Sequence, residues 1–445
     1  VRIAIVTLGC KVNHCDSEAI AEQFAERSCT IVPFPQKANI FIVNTCSVTG
    51  KSDYQSRQLI RRIHRDYPEA AIVVTGCYAQ VDPQAFERVP GVFLVAGNTA
   101  KPFIADLVLE NFSHHRTGCI VPDRGPCSSF SGRRAHAVSS RTRFFLKIQD
   151  GCNSRCSYCI IPSARGSSRS LPPEGVLASL ASIAAAGFRE AVLTGIHLGS
   201  YGRDLHPATT LYDLLKRIEG SDLPPFRLRL SSLEPNEIDE RLMQVIASSS
   251  RICHHLHLPL QSGSDAILQA MNRPYRAKEY AKLVTSLVSL IPDLALGADV
   301  MVGFPGETEE QFTETIRLVE SLSLTYLHVF PFSPRKGTPA AALPGRLHGS
   351  IVKTRAQQLR AVGRMKRACY YGRFLDTTVP VLFESSRDRA TGFLRGFSRT
   401  YIPVLAPGPD DLMNREVAVR LTGIRSETVQ GLVAENHIQN PSSRG

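Results

Sequence analysis

Residues 151–159 read GCNSRCSYC and bring three thiols, Cys152, Cys156 and Cys159, into one short loop. Gaps of three and two residues let that loop wrap three thiolates around a single metal centre, a geometry that suits a cubane iron-sulfur cluster. Four irons held by three cysteines leave one iron without a protein ligand, and an open coordination position is where substrate chemistry takes place. A zinc knuckle is the alternative, but it pairs C-x2-C units or adds a fourth Cys or His at comparable spacing. The upstream His136 and Cys127 lie in a polar segment and lack that spacing.

The chain around this loop repeats strand and helix. FFLKI (144–148) precedes the loop, and EAVLTG (190–195), FRLRLSS (226–232), HHLHLPL (254–260), LGADVMVG (296–303) and YLHVFP (326–331) follow it. Helical stretches near 172–187, 211–219, 236–248, 264–290 and 306–322 separate them. Such units close into a barrel with its active end at the strand carboxyl ends, and six units predict an open, partial (β/α)6 barrel over 141–348. The cysteine loop then lies at the catalytic end. Thr194, Gly195, Ser231, Ser232, Glu234, Gln261, Ser262 and Gly303 collect at the same end as candidate cofactor contacts, although turn chemistry and helix capping explain such residues equally well. His254, His255 and His257 alternate between two faces and read as structural or RNA-facing.

Residues 1–110 show the same alternation, with apolar runs at 2–7, 39–43, 70–75 and 92–95, and predict a doubly wound parallel sheet. Cys10, Cys46 and Cys77 each stand just after a strand, where open α/β sheets bind ligands. One such cysteine reads as a small buried hydrophobe. Three at three strand ends, two of them behind a glycine, read as a second incomplete ligand set. Cys15 reads as packing.

Residues 111–140 have no apolar period and read as a surface linker, with no role for Cys119 or Cys127. Residues 371–437 break into short alternating runs and predict a small antiparallel β-barrel, followed by a tail at 438–445. The whole is α/β in class. The net charge is +12, and it resides in two segments: seven Lys/Arg against one acid at 111–147, and six Lys/Arg with no acid at 349–370. The second reads as a helix whose Lys353, Arg355, Arg360, Arg364, Lys366 and Arg367 line a polyanion. No apolar run reaches membrane-spanning length and VRIAIV reads as a strand, so a cytoplasmic protein without a membrane partner is expected. Twelve cysteines there point to metal or redox chemistry rather than disulfides.

The C-x3-C-x2-C loop with Tyr158 before its last cysteine resembles the radical S-adenosylmethionine (SAM) enzymes. TLGCKVN (7–13), VNTCSVT (43–49) and GCYAQ (76–80) extend the resemblance to the methylthiotransferases. KVN (11–13) after Cys10, IHLGSYG (196–202), LHLPLQSGSD (256–265), VGFPGETEE (302–310) and FSPRKGTPA (332–340) resemble the branch acting on N6-threonylcarbamoyladenosine in tRNA, and the 371–437 barrel is similar to a TRAM domain. Two positions depart from the family pattern, Cys15 in place of a Tyr and Ser163 in place of an aromatic. The resemblance implies two 4Fe-4S clusters, on Cys152, Cys156 and Cys159 and on Cys10, Cys46 and Cys77, with SAM chelating the open iron of the former. It implies a deoxyadenosyl radical that abstracts hydrogen from adenine carbon 2, sulfur delivered through the N-terminal cluster, a second SAM as methyl donor, and tRNA, an electron donor and a sulfur donor as partners. Tyr158, Thr194 and Gly195 are the expected SAM contacts, with Ser231, Ser232 and Glu234 near its ribose or amino-acid part. The rival readings are a sister enzyme acting on a ribosomal-protein aspartate, and a non-catalytic iron-sulfur protein that binds RNA or carries electrons.

Overall fold

The computed structural model describes residues 1–121 and 142–434. Cys127, His136, most of the expected linker and the tail lie outside the described residues. The first part is a six-stranded sheet of β1 (Arg2–Thr7), β2 (Thr30–Val32), β3 (Ile40–Thr45), β4 (Ala71–Gly76), β5 (Val92–Ala96) and β6 (Gly118–Ile120). Every pairing is parallel and the order is β2-β1-β3-β4-β5-β6, so the winding reverses between β1 and β3. β3 is buried at every residue, which its continuous apolar run anticipates. Phe41 and Val43 face one helical layer with Ile60 and Ile63, whereas Ile40 and Ile42 face the other with Phe24 and Ile104. Two edge strands escaped the sequence pattern because each has three residues. β6 corrects the linker reading, since Gly118–Ile120 pairs with β5 and carries Cys119 into the sheet.

The second part opens with β7 (Arg143–Lys147). A two-residue ladder of β8 (Gln149–Asp150) and β9 (Arg169–Ser170) ties off the neck of the cysteine loop. β10 (Glu190–Thr194), β11 (Arg227–Leu230), β12 (His255–His257), β13 (Ala295–Val302) and β14 (Tyr326–Pro331) complete the six barrel strands. They form the parallel sheets β11-β10-β7 and β12-β13-β14, joined by a bridge between Leu228 and Ile252. This is the expected partial barrel, open between β7 and β14. The helix expected over 264–290 is two helices, Asp265–Ala270 and Ala277–Leu290, with Asn272 at φ +56° between them. Pro274 is the cause, since it removes an N–H and disfavours helical geometry in the residue before it.

The helix Gly349–Gly372 leads to a closed barrel of β15 (Thr378–Arg387), β16 (Leu394–Ser398), β17 (Pro403–Ala406), β18 (Glu416–Arg425) and β19 (Thr428–Val433). Its pairings are antiparallel except β17 with β19, which run parallel. The connecting helix does not present six free cations. Arg355 is buried on Glu307 and Glu309, Arg360 donates to Val329 O, Lys366 donates to Glu320 O and Leu322 O, and Arg367 pairs with Glu427. Only Lys353 and Arg364 of the six remain exposed without such a bond among the described residues. Of the six, Arg355 and Arg367 have their charge met by carboxylates of this chain, while among the described residues Arg360 and Lys366 donate only to neutral carbonyls.

Residues 398–401 of the C-terminal barrel enter the central one. Tyr401 stacks on His255 at 4.1 Å, and Arg227 and Arg229 donate to the carbonyls of Phe397, Ser398 and Arg399. Both guanidiniums also grip Glu190, whose carboxyl two arginines hold at about 2 against the penalty of burial. No helix of the described residues is long and apolar enough to cross a membrane.

Candidate active site with two cysteine triads

β1, β3 and β4 are neighbours in the sheet, and Cys10, Cys46 and Cys77 follow them at their carboxyl ends, beside the reversal point where such sheets bind ligands. Two glycines make the approach possible. Gly9 has φ +101°, and a Cβ there would fall 2.6 Å from the Cβ and 2.8 Å from the Sγ of Cys46. Gly76 has φ +98°, and a Cβ there would meet Thr45 O at 2.3 Å. Burial, reinforced by the Cys77 and Cys10 thiols, pushes the Cys46 thiol up to about 11. Asn13, the last residue of the KVN run, laces the loops together by donating to Leu8 O at 2.7 Å and Thr45 O at 2.9 Å. Cys15 is fully buried, with its Sγ 3.3 Å from Phe145 O, in keeping with packing.

The second triad sits in the loop tied off by β8 and β9. The Cys152 sulfur lies 3.4 Å from His197 Nδ1, and Arg273 Nη1 donates to the Cys156 sulfur at 3.2 Å. Burial opposes charge on both Cys152 and His197; their mutual contact, with Glu237 beside the ring, holds the thiol below its usual value and raises the imidazole to about 10. Burial, with Cys156 and Cys152 close by, pushes Cys159 up to about 12, so iron loading there must displace a proton. Arg273 also pairs with Glu234, and Asn272 donates to Arg155 O at 2.7 Å. Sequence reasoning missed His197, Arg273 and Asn272. For Asn272 and Arg273 the signal was present in the Asn-Arg-Pro break, which turns these two side chains out of a helix and onto the cysteine loop, whereas His197 stands in the IHLGSYG run after β10.

Other candidate contacts divide by what they touch. Ser231 Oγ and Gln261 Oε1 are buried without hydrogen-bond partners among the described residues, and Gln261 holds φ +65°. Glu234 lines a cavity of 230 Å³ with Cys156, His197 and Arg273, and Ser232 is exposed. Thr194 is buried and its hydroxyl returns to Val192 O at 3.1 Å. Gly195 is bare because Gln149 covers it, with Oε1 2.9 Å from where a Cβ would stand. Ser262 is engaged by Thr315 and the Ser264 amide, and a Cβ at Gly303 would meet Val352. Tyr158 packs on Ile267, Met271, Met301 and Phe304.

A buried ionic network joins the two parts. Asp16 meets Lys101, Lys147 and Arg165 at 2.7, 2.5 and 3.1 Å, and Asp150 meets Lys147, Arg165 and Arg169 at 3.1, 3.0 and 3.3 Å. Burial penalises both carboxylates and these cations outweigh it, holding each well below the usual range. Arg165 ends the short helix Ile161–Arg165, which begins two residues after Cys159, and its Nη2 also reaches Asn13 Oδ1 at 2.5 Å. Asn98 spans the same gap, donating to Ala164 O at 2.7 Å with the Cys77 sulfur 3.8 Å away. Residues 332–340 make a second bridge. Arg335 bonds Ser47, next to Cys46, and Asp53, while Ala340 N donates to Ser157 O inside the other loop at 2.8 Å.

Three thiols in a tight loop, with His197 and Arg273 offering positive charge, fit an anionic iron-sulfur cluster, and the orphaned Ser231 and Gln261 oxygens fit a polar ligand beside it. Residues 2–97 match an uncharacterized protein family, UPF0004, and residues 146–319 match the radical SAM superfamily. The threonylcarbamoyladenosine tRNA methylthiotransferase MtaB of Bacillus subtilis is 36% identical over 94% of this chain and 93% of its own length. The chain belongs to the radical SAM methylthiotransferase family. The family works with 4Fe-4S clusters and SAM. Another relative, the tRNA-2-methylthio-N(6)-dimethylallyladenosine synthase of Pelotomaculum thermopropionicum, is 32% identical over 98% of this chain and 99% of its own. Among solved structures, the radical SAM methyltransferase TsrM of Kitasatospora setae superposes with a TM-score of 0.58 at 17% identity, over 76% of this chain and 77% of that one, a likeness of fold alone.

Proposed function

We propose that this enzyme converts N6-threonylcarbamoyladenosine beside the tRNA anticodon to its 2-methylthio derivative, with SAM as both radical source and methyl donor. The observation that carries it is two cysteine triads in one chain, each one ligand short of a cubane, tied together by Arg165 and by residues 332–340. Cys152, Cys156 and Cys159 would hold the SAM-binding cluster, and Cys10, Cys46 and Cys77 the accessory one. Once loaded, the first cluster and SAM supply a one-electron route to a radical able to take hydrogen from an unactivated ring carbon, which acid–base groups cannot do.

The chain's own residues arrange this. Arg273 sets a positive charge on the Cys156 sulfur and fixes Glu234 in the adjoining cavity. Ser231 and Gln261 offer buried oxygens to a polar ligand. The buried Asp16–Arg165–Asp150 network ties the loops that carry the two triads to one another. The C-terminal barrel is TRAM-like, and the 760 Å³ cavity it forms with the central barrel is lined by Arg189, Arg227, Arg251, Arg399 and Arg415 against Glu416, a setting for RNA phosphates. The reaction belongs in the cytoplasm with its tRNA, and needs a reducing electron donor and a sulfur donor. Mass spectrometry of tRNA nucleosides from a deletion strain tests it: the methylthio derivative should vanish and return with the gene. Its persistence would refute the assignment, and loss of methylthio from dimethylallyladenosine or from a ribosomal-protein aspartate instead would move the enzyme to a sister activity.

A further inference from the structure

A cavity of 480 Å³ opens where the three parts of the chain meet, lined by Gly9 and Lys11, by Arg143 and Phe145 of β7, and by Glu384 and Arg395 of the C-terminal barrel. Ligand pockets run from about 300 to 1,000 Å³, so it has room for a nucleoside. Its charge is unbalanced. Glu384 Oε1 accepts from Arg143 Nη2 at 2.8 Å, and Oε2 lies 2.8 Å from Arg395 Nε, so both oxygens of this carboxylate are occupied. Lys11 is left exposed into the cavity with no hydrogen-bond or ion-pair partner among the described residues. It directly follows Cys10, so whatever it holds lies against the N-terminal triad.

We infer that Lys11 is the counterion for an oxyanion that the RNA substrate brings into this cavity, either the carboxylate of the threonylcarbamoyl group or a backbone phosphate. The inference rests on the tRNA reading above. A carboxylate reader would also separate this substrate from one bearing a neutral N6 group, because the neutral group leaves the ammonium unpaired.

The test measures affinity of wild type, Lys11→Gln and Lys11→Arg for one tRNA prepared with and without the threonylcarbamoyl group. A lost hydrogen bond to a charged group weakens binding about tenfold or more. Lys11→Gln should lose that much on the modified tRNA, and Lys11→Arg should regain most of it. A loss confined to the modified tRNA identifies the carboxylate. An equal loss on both, with the salt slope reduced by about 0.7 to 0.9, identifies a phosphate. Unchanged affinity for both RNAs overturns the inference, as does iron loss in Lys11→Gln at unchanged affinity, which would assign Lys11 to the neighbouring triad. Lys11→Arg, which keeps the charge, keeps the test decisive if Lys11→Gln disturbs iron: affinity near that of wild type is expected, and a loss equal to that of Lys11→Gln with iron retained overturns the inference. Failure of the tRNA reading looks different, since wild type would then make no methylthio product from the modified tRNA.

Discussion

Glu190→Gln probes what seats the C-terminal barrel on the central one. Glu190 is fully buried and is shared by Arg227 and Arg229, each 1% exposed, which in turn hold the carbonyls of residues 397–399. Removing its charge leaves two buried guanidiniums with neutral carbonyls and with Glu416, which Arg399 also claims. Breaking a buried ion pair from one side costs about 3–5 kcal/mol. The carboxyl itself gives a second route to the magnitude, since it titrates at about 2 rather than at its ordinary 4.5. Linkage converts that depression into about 3 kcal/mol. A depressed carboxylate stabilises the fold above its unfolded pKa, so this contribution is complete above about pH 4.5 and drains as pH falls towards 2. Hydrogen exchange at residues 394–406 reads the effect. At neutral pH Glu190→Gln should speed it by about two to four orders of magnitude, and Glu190→Gln with Arg229→Met should recover part of the loss. Exchange within a factor of about five of wild type (roughly 1 kcal/mol) would refute the reasoning, because the two arginines would then be satisfied without Glu190.

Other substitutions test the remaining links. Anaerobically reconstituted enzyme should hold about eight irons per chain, and changing Cys152, Cys156 and Cys159 together to Ala should remove about half; unchanged iron, or zinc in its place, would sink the cluster assignment. Changing Cys10, Cys46 and Cys77 to Ala should leave reductive SAM cleavage measurable while abolishing methylthio product, and continued product would make those thiols structural. Cys15→Ala should retain full iron, and a loss matching that of Cys10→Ala would make Cys15 a ligand. In tRNA affinity against salt, Arg189→Gln with Arg415→Gln should lower the log–log slope by about 1.4 to 1.8, one increment per phosphate contact. Lys353→Gln with Arg364→Gln serves as the comparison, and an unchanged slope in the arginine pair would place the phosphates elsewhere.

Local spacing was enough to single out both cysteine triads as candidates, because a loop of nine residues and three strand ends in a parallel sheet leave few places for the thiols to go. Periodicity was enough for the three-part architecture, since hydrophobic alternation is written residue by residue. Charge was legible as a count and illegible as a partner. The six cations of 349–370 look alike in sequence, and whether each meets phosphate or a carbonyl depends on residues 20 to 60 positions away, such as Glu307 for Arg355, Glu320 for Lys366 and Glu427 for Arg367. The same holds at the cysteine loop, where His197 and Arg273 arrive from other barrel units. Long-range pairing also decides that Asn13 and Arg335 stitch the triads together, and that Lys11 has no ion-pair partner among the described residues. Periodicity and spacing are properties of neighbours along the chain, whereas electrostatic satisfaction is a property of neighbours in space, and only the tertiary structure brings those together.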